Sequence, residues 1–169
     1  MDNNQNQIAL TELVRKNESR INVLEKIAIL TFALGFVFYY LKLPNNNIIL
    51  IIGSILTAIS YFLFAFKIVE TQNIETTGLL NSKGMINFLY KLMYFSISIS
   101  AIAILGLVIS FNNTNSLIIT GGLTLFIVLF LSLITKLNDR TRIYNSIFYI
   151  RIVTCLLLLT YLAITINGF

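Results

Sequence analysis

Long apolar runs separated by short polar segments make up most of the chain. A helix needs about 20 apolar residues to cross the hydrocarbon core of a bilayer, and lipid excludes open strands because their unpaired backbone groups find no partner there. Five runs approach or reach this length, and we number them as spans one to five: residues 27–43, 48–69, 92–111, 117–137 and 147–166. The pattern predicts an all-α polytopic membrane protein with five transmembrane helices.

Two short polar segments predict tight turns between spans. Pro44 and the three asparagines that follow it join spans one and two, and residues 112–116 join spans three and four in the same way. Proline removes a backbone donor and asparagine favours turns, so the chain divides into two helical hairpins and one extra span. Residues 47–53 also align with residues 115–121, which indicates either an internal duplication or a chance similarity of two polar turns that enter apolar helices.

The positions of the basic residues predict an orientation in the membrane. Of the twelve Lys and Arg residues, all but Lys42 fall on the side of the membrane where the N-terminus lies. Because loops rich in Lys and Arg stay in the cytoplasm, the N-terminus is predicted to be cytoplasmic and, after five spans, the C-terminus outside. Tyrosines near both predicted interfaces fit aromatic belts: Tyr39, Tyr40, Tyr90, Tyr94, Tyr144 and Tyr149.

The composition excludes several classes of function. Hydrophobic residues make up 57% of the chain and charged residues 11%, whereas soluble proteins average about 45–50% and about 25%. There is no histidine and a single cysteine, Cys155, which excludes Ser-His or Cys-His catalysis and an intramolecular disulfide. The net charge of +5 is spread as orientation signals rather than gathered in one patch, so it does not indicate nucleic acid. We therefore expect no enzyme activity, no cofactor, no metal site and no nucleic-acid partner.

The chain before span one predicts a separate region, residues 1–26, ahead of the transmembrane domain, residues 27–169. Six positions follow alternating spacings of four and three residues, as along the seam of a short coiled coil, and all are apolar except the polar Asn17: Leu10, Val14, Asn17, Ile21, Leu24 and Ala28. This amphipathic helix either pairs identical chains into an oligomer or lies on anionic lipid through its basic residues.

Ionisable residues inside a membrane are candidates for function, and one is predicted here. The acidic residues are all expected outside the hydrocarbon, so the predicted spans lack the midplane carboxylate that ion-coupled transport usually needs. Arg151 is the exception, because the apolar run after it has 15 residues and covers only about 22 Å. Its side chain either extends to the cytoplasmic headgroups, pairs with Asp139, or lines a cytoplasmic vestibule.

Span three carries the small and hydroxylated residues that let helices approach closely. The candidate packing or pore-lining positions are Ser96, Ser100, Ala103, Gly106 and Ser110. They predict that span three lies at the centre of the bundle, and a serine-lined pore would use the same side chains. Glycines predict further close contacts: Gly35, Gly53, Gly121 and Gly122.

The turn after Lys42, with the sequence Lys-Leu-Pro-Asn-Asn-Asn-Ile-Ile-Leu-Ile-Ile-Gly, resembles the two-helix membrane segment of the gliding-motility and type IX secretion motor subunit of Bacteroidota. The resemblance covers residues 25–67, about a quarter of the chain. It implies a bacterial inner-membrane protein that assembles with copies of itself. That family has an acidic residue in its membrane helix, and residues 48–66 have none here, so the motor role does not carry over.

These observations predict a non-enzymatic, self-associating protein of the bacterial inner membrane. The expected function is a channel, pore or membrane scaffold subunit, accessory to a defence or secretion system, with a small-solute transporter as the alternative. The expected partners are membrane lipids, further copies of the chain, and a cytoplasmic protein bound through the segment before span one.

Overall fold

The computed structural model of the chain describes residues 22–66, 83–138 and 146–167. Regular structure in this part of the chain is entirely helical, in agreement with the predicted fold class. There are five helices: α1 (Asn22–Tyr40), α2 (Asn46–Ala65), α3 (Lys83–Val108), α4 (Thr114–Asn138) and α5 (Ser146–Asn167). Most of the predicted N-terminal region, and Asp139, lie outside the described residues.

Helices α1 to α4 are long and apolar enough to cross a membrane, and α5 contributes a shorter apolar segment, Ser146–Tyr161. Because a helix of 20 residues spans about 30 Å, the thickness of the hydrocarbon core, four such helices in one small chain indicate a membrane protein. Each helix begins before the apolar run predicted for it, most clearly α3. Backbone hydrogen bonding extends beyond the stretch of residues that lipid requires to be apolar.

Successive helices run in alternating directions. Cross-helix contacts join Gly53 of α2 to Phe32 of α1, and Gly121 of α4 to Ser100 of α3, which makes both hairpins antiparallel. The ring of Phe36 in α1 meets that of Tyr161 in α5 edge to face, 5.8 Å between centroids, and Glu25, earlier in α1, contacts Arg151, earlier in α5, so these two helices are parallel. We call the end where α1, α3 and α5 begin the proximal end, and the end with the two hairpin turns the distal end.

The turn between α1 and α2 is a Schellman motif. Lys42 takes the left-handed conformation with φ 54°, and the Leu43 N–H donates to the Phe38 carbonyl at 3.0 Å. This bond satisfies a carbonyl that the end of the helix leaves without an intrahelical donor. Pro44 follows immediately, where it prevents the helix from continuing.

The turn between α3 and α4 has the same geometry. Ser110 has φ 56°, and the Phe111 N–H donates to the Gly106 carbonyl at 2.8 Å. Each of these groups lies 68 positions after its counterpart in the first turn, which is also the offset between the two similar sequences noted above. The likeness of the two hairpins therefore extends from sequence to backbone hydrogen bonding.

Three of the four predicted glycine contacts are present. A Cβ atom on Gly35 would lie 2.7 Å from the Leu50 Cα, and one on Gly53 would lie 2.6 Å from the Phe32 Cα. The backbones of α1 and α2 thus touch, which only a residue without a side chain permits. Gly121 packs closely on Ser100, but the expectation for Gly122 was wrong, because nothing lies within 4 Å of its Cβ position.

Helix α3 lies at the centre of the bundle, as predicted. It packs against α2, α4 and α5. Within their apolar windows 61% of α3 residues are buried, against 17% of α1 residues. A cluster of buried side chains follows α3 along its length and includes Ile86, Leu89, Met93, Ile97, Ile104 and Leu107.

Candidate functional site

A buried ion pair joins the two helices at the edges of the bundle. Glu25 lies in the first described turn of α1 and Arg151 near the beginning of α5, and the Arg151 Nη2 donates to the Glu25 Oε1 at 2.5 Å. The side chain of Glu25 is 10% exposed and that of Arg151 is 24% exposed. Charged groups are costly to bury unless they are paired and hydrogen-bonded, so each residue stabilises the position of the other.

Two tyrosines enclose the guanidinium group. The Arg151 Cζ lies 5.9 Å from the ring centroids of both Tyr61 in α2 and Tyr94 in α3, within the range of cation–π attraction. The Arg151 Nη1 also donates to the Tyr94 hydroxyl, over a long 3.4 Å. Tyr94 is 8% exposed and stacks on Phe64. Four helices therefore converge on this one cation, and Tyr94 faces inward rather than joining an aromatic belt.

The ion pair bears on two predictions. Glu25 was expected outside the hydrocarbon with the other acidic residues, and the sequence did not predict that it is buried among the helices. Arg151 was expected to reach the headgroups, pair with Asp139 or line a vestibule; it pairs with Glu25, and Asp139 lies outside the described residues. The missed signal was the length of span one: its 17 apolar residues cover about 25 Å, so the helix has to begin earlier and carry Glu25 inward.

An apolar cavity of about 470 Å³ lies beside the ion pair. Helices α1, α2, α3 and α5 contribute its walls, which include Phe32, Phe36, Ile97, Ile104 and Leu158. Arg151 and Tyr61 form its proximal end. The charged pair thus borders a space whose remaining walls are almost entirely hydrocarbon.

A second cavity of about 510 Å³ extends this space toward the distal end. It shares Phe36, Thr154 and Leu158 with the first cavity and reaches Tyr40 and Tyr161. We call the two together the α1–α5 cavity. Its shape is a slot between α1 and α5 that begins at Arg151 and runs parallel to both helices.

One wall of this cavity has a polar atom with no partner. Thr57 of α2 lines the first cavity and is only 8% exposed, and its hydroxyl oxygen makes no hydrogen bond to the described residues. Ser54, one turn away on the same helix, has a buried hydroxyl in the same condition. Buried hydroxyls normally find a partner, because leaving one unsatisfied costs about 1–3 kcal/mol. Cys155, the single cysteine, lines the same cavity as a free thiol.

The five candidate residues of span three divide into two groups. Ser96 and Ser100 are buried and donate within α3, to the carbonyls of Leu92 and Ser96 at 2.7 Å each. Ala103 is fully buried, and Gly106 packs against the side chain of Thr114. Ser110 differs, because it is exposed in the turn after α3. The first four positions agree with the packing interpretation rather than with a water-lined path.

A serine hydroxyl that bonds from α3 to α2 is on a neighbouring residue, Ser98. Ser98 of α3 donates to the Ala58 carbonyl of α2 at 2.9 Å, and both residues are buried. The sequence contains three serines at alternate positions here, and nothing local to α3 distinguishes Ser98 from the other two. Only the position of α2 decides which of them bonds across the interface.

Searches of protein-family models, curated proteins and solved structures return no match to this chain. The fold and the site therefore define the protein only by class. The described residues form an all-helical bundle with four helices able to cross a membrane, and an apolar cavity that is open on one side lies beside a partly buried ion pair. The resemblance to the motility motor segment stays a prediction.

Proposed function

We propose that the protein binds an apolar small molecule from the bilayer within its helix bundle, as a non-enzymatic binding protein or carrier of the bacterial inner membrane. The observation that carries this proposal is the α1–α5 cavity. Its first part, about 470 Å³, falls within the range of about 300–1,000 Å³ typical of small-molecule sites. This is the transporter alternative from the sequence, with an apolar solute in place of a polar one.

The position of the cavity supports entry from the lipid. It lies between α1 and α5, and α1 is among the least buried helices. Large apolar side chains of both helices are exposed: Leu30 and Leu34 on α1, and Ile150 and Leu157, which border the cavity, on α5. An apolar molecule dissolved in the bilayer would reach the slot without crossing water.

The channel and scaffold hypotheses have weaker support. A pore along α3 needs hydroxyls that face an aqueous path, whereas Ser96 and Ser100 are buried and bonded within their own helix. Self-association and a cytoplasmic protein partner rest on the sequence alone. The topology we propose, five spans with the N-terminus in the cytoplasm and the C-terminus outside, is supported by the alternating helix directions and by the distribution of basic residues.

Photolabelling tests the proposal. The full chain in liposomes is irradiated with an uncharged alkyl diazirine, and labelled residues are mapped by mass spectrometry. We expect labelling of Phe36 and Leu158 that excess unlabelled dodecane suppresses, because a bound probe saturates whereas bulk lipid does not.

The matched variants are Leu158→Trp, which fills the cavity, and Leu123→Trp, which enlarges a side chain that is 60% exposed on α4. Leu158→Trp should reduce the suppressible labelling at Phe36 at least tenfold, and Leu123→Trp should leave it unchanged. Labelling of Phe36 that dodecane does not suppress, or that both variants affect equally, would contradict a cavity that binds ligand.

A further inference from the structure

The proximal end of the α1–α5 cavity has the features of a site for a polar head group. Arg151 forms part of the cavity wall, whereas Glu25 does not. A guanidinium has five N–H donors, and two of them bond to Glu25 and Tyr94. Because the guanidinium lines the cavity and has more N–H groups than these two bonds use, a molecule in the cavity would meet a hydrogen-bond donor at this end.

The charge of the pair limits what those donors accept. Arg151 is already neutralised by Glu25 at 2.5 Å, and the surrounding walls are apolar. A second carboxylate or phosphate would leave an unbalanced negative charge in a low-dielectric space, which is costly. An uncharged acceptor, such as the carbonyl of an ester or a ketone, would bond to the guanidinium without that cost.

The polar atom on the adjacent wall points to the same kind of ligand. The Thr57 hydroxyl is more than nine-tenths buried, has no partner among the described residues, and lies on the cavity. A hydroxyl both donates and accepts, so it can bond to an ester or ketone oxygen. Beyond it the slot continues along α1 and α5 to Tyr40 and Tyr161, with room for a hydrocarbon chain.

We propose that the α1–α5 cavity binds an uncharged, carbonyl-bearing lipid-like molecule, with its ester or ketone oxygen at Arg151 and its hydrocarbon chain along the slot. This rests on the proposed function and names the ligand class of the same site. A phospholipid of the bilayer is the rival occupant, since its ester groups are similar but its head group is ionic.

A competition series on the photolabelling assay tests this ligand class. Four unlabelled molecules compete with the alkyl diazirine at Phe36, each expressed per mole of membrane lipid: methyl laurate, dodecane, dodecanesulfonate and phosphatidylcholine. Methyl laurate should compete about tenfold better than dodecane, because a hydrogen bond to a charged donor contributes about that factor. It should also exceed the sulfonate and the phospholipid.

The contrary outcomes are separable. Equal competition by methyl laurate and dodecane would reject recognition of the carbonyl while leaving the proposed function in place. Stronger competition by the sulfonate or by phosphatidylcholine would reject the uncharged class. Labelling that none of the four suppresses would reject the proposed function itself.

A double variant tests the role of the ion pair. Glu25→Gln with Arg151→Gln removes both charges, and we expect it to bind dodecane as before but to lose the preference for methyl laurate. A retained tenfold preference would overturn the assignment of the head-group site to Arg151. The competition series on the unaltered chain decides the ligand class independently of how this double variant folds.

Discussion

The two sides of this helix bundle are packed differently. On one side, α2, α3 and α4 pack tightly along their lengths, and Ser98 and Gly121 lie at their interfaces. On the other side, α1 and α5 are separated by a slot and are linked through Glu25 with Arg151 and through Phe36 with Tyr161. The tight side is built from small residues, and the open side from a charged pair and large apolar side chains.

The difference is the reason why we place the proposed site on the open side. In lipid, helices associate through close packing and hydrogen bonds rather than through a hydrophobic driving force, so small residues produce the dense side. A buried ion pair is not needed for such packing and is costly to bury. Glu25 and Arg151 join α1 to α5 at the proximal end, next to the space between the two helices.

The largest expected effect comes from breaking the ion pair on the open side. Arg151→Leu leaves Glu25 buried without a partner and should lower the free energy of unfolding by about 3 kcal/mol. Adding Glu25→Leu should recover most of the loss, because neither charge then remains buried. Thermal unfolding in detergent measures both.

The control is Lys91→Leu, which removes a basic residue that is exposed on α3. We expect a change within about 0.5 kcal/mol there. If Arg151→Leu lowered the free energy of unfolding no more than Lys91→Leu does, the ion pair would not hold α1 and α5 together.

A smaller effect is expected where α1 packs on α2. Gly53→Ala places a Cβ atom 2.6 Å from the Phe32 Cα, so one backbone has to move away from the other. Overpacking of this kind costs about 1–3 kcal/mol. Gly122→Ala on α4 meets open space and should instead stabilise the helix, by up to about 1 kcal/mol, because alanine has the higher helix propensity.

Changes of opposite sign in the free energy of unfolding for Gly53→Ala and Gly122→Ala would distinguish close backbone contact from a general intolerance of alanine. Denaturation in detergent under identical conditions gives the comparison. A stabilising Gly53→Ala would mean that α1 and α2 are not in backbone contact.

The smallest effect is expected within the dense side. Ser98→Ala removes the hydrogen bond to the Ala58 carbonyl of α2 and should cost about 0.6 kcal/mol, the average for such bonds between membrane helices. Ser96→Ala removes a bond to the carbonyl of Leu92 within α3 and should be close to neutral, since that carbonyl keeps its helical donor. A double-mutant cycle with the two serines would be non-additive only if both contacted α2.

Much of the architecture could be predicted from the sequence because it depends on local composition. Apolar runs of sufficient length predicted the helices, and polar turns predicted the hairpins. The small residues of α3 placed it at the centre, and Gly35, Gly53 and Gly121 were correctly expected at contacts. Gly122 failed because a glycine's contacts depend on which face of the helix the neighbour occupies, and two adjacent residues point about 100° apart.

The site could be predicted only in part. Arg151 was identified, because the apolar run after it is too short to span a bilayer by itself. Its partner was not, because Glu25 precedes Arg151 by 126 positions and nothing local to either residue connects them. The cavity has no sequence signature either, since apolar side chains that line a space look the same in sequence as those that face lipid.

The sequence by itself determined that the chain forms long apolar helices suited to a membrane, because backbone groups must be satisfied within the helix where there is no water. It also determined that the two helices of each hairpin run in opposite directions, because a short polar turn joins them. The tertiary structure alone decided that α1 and α5 lie side by side, that their charges meet, and that a space remains next to them. Those features depend on how helices far apart in the chain pack, and apolar surfaces of similar composition permit many packings.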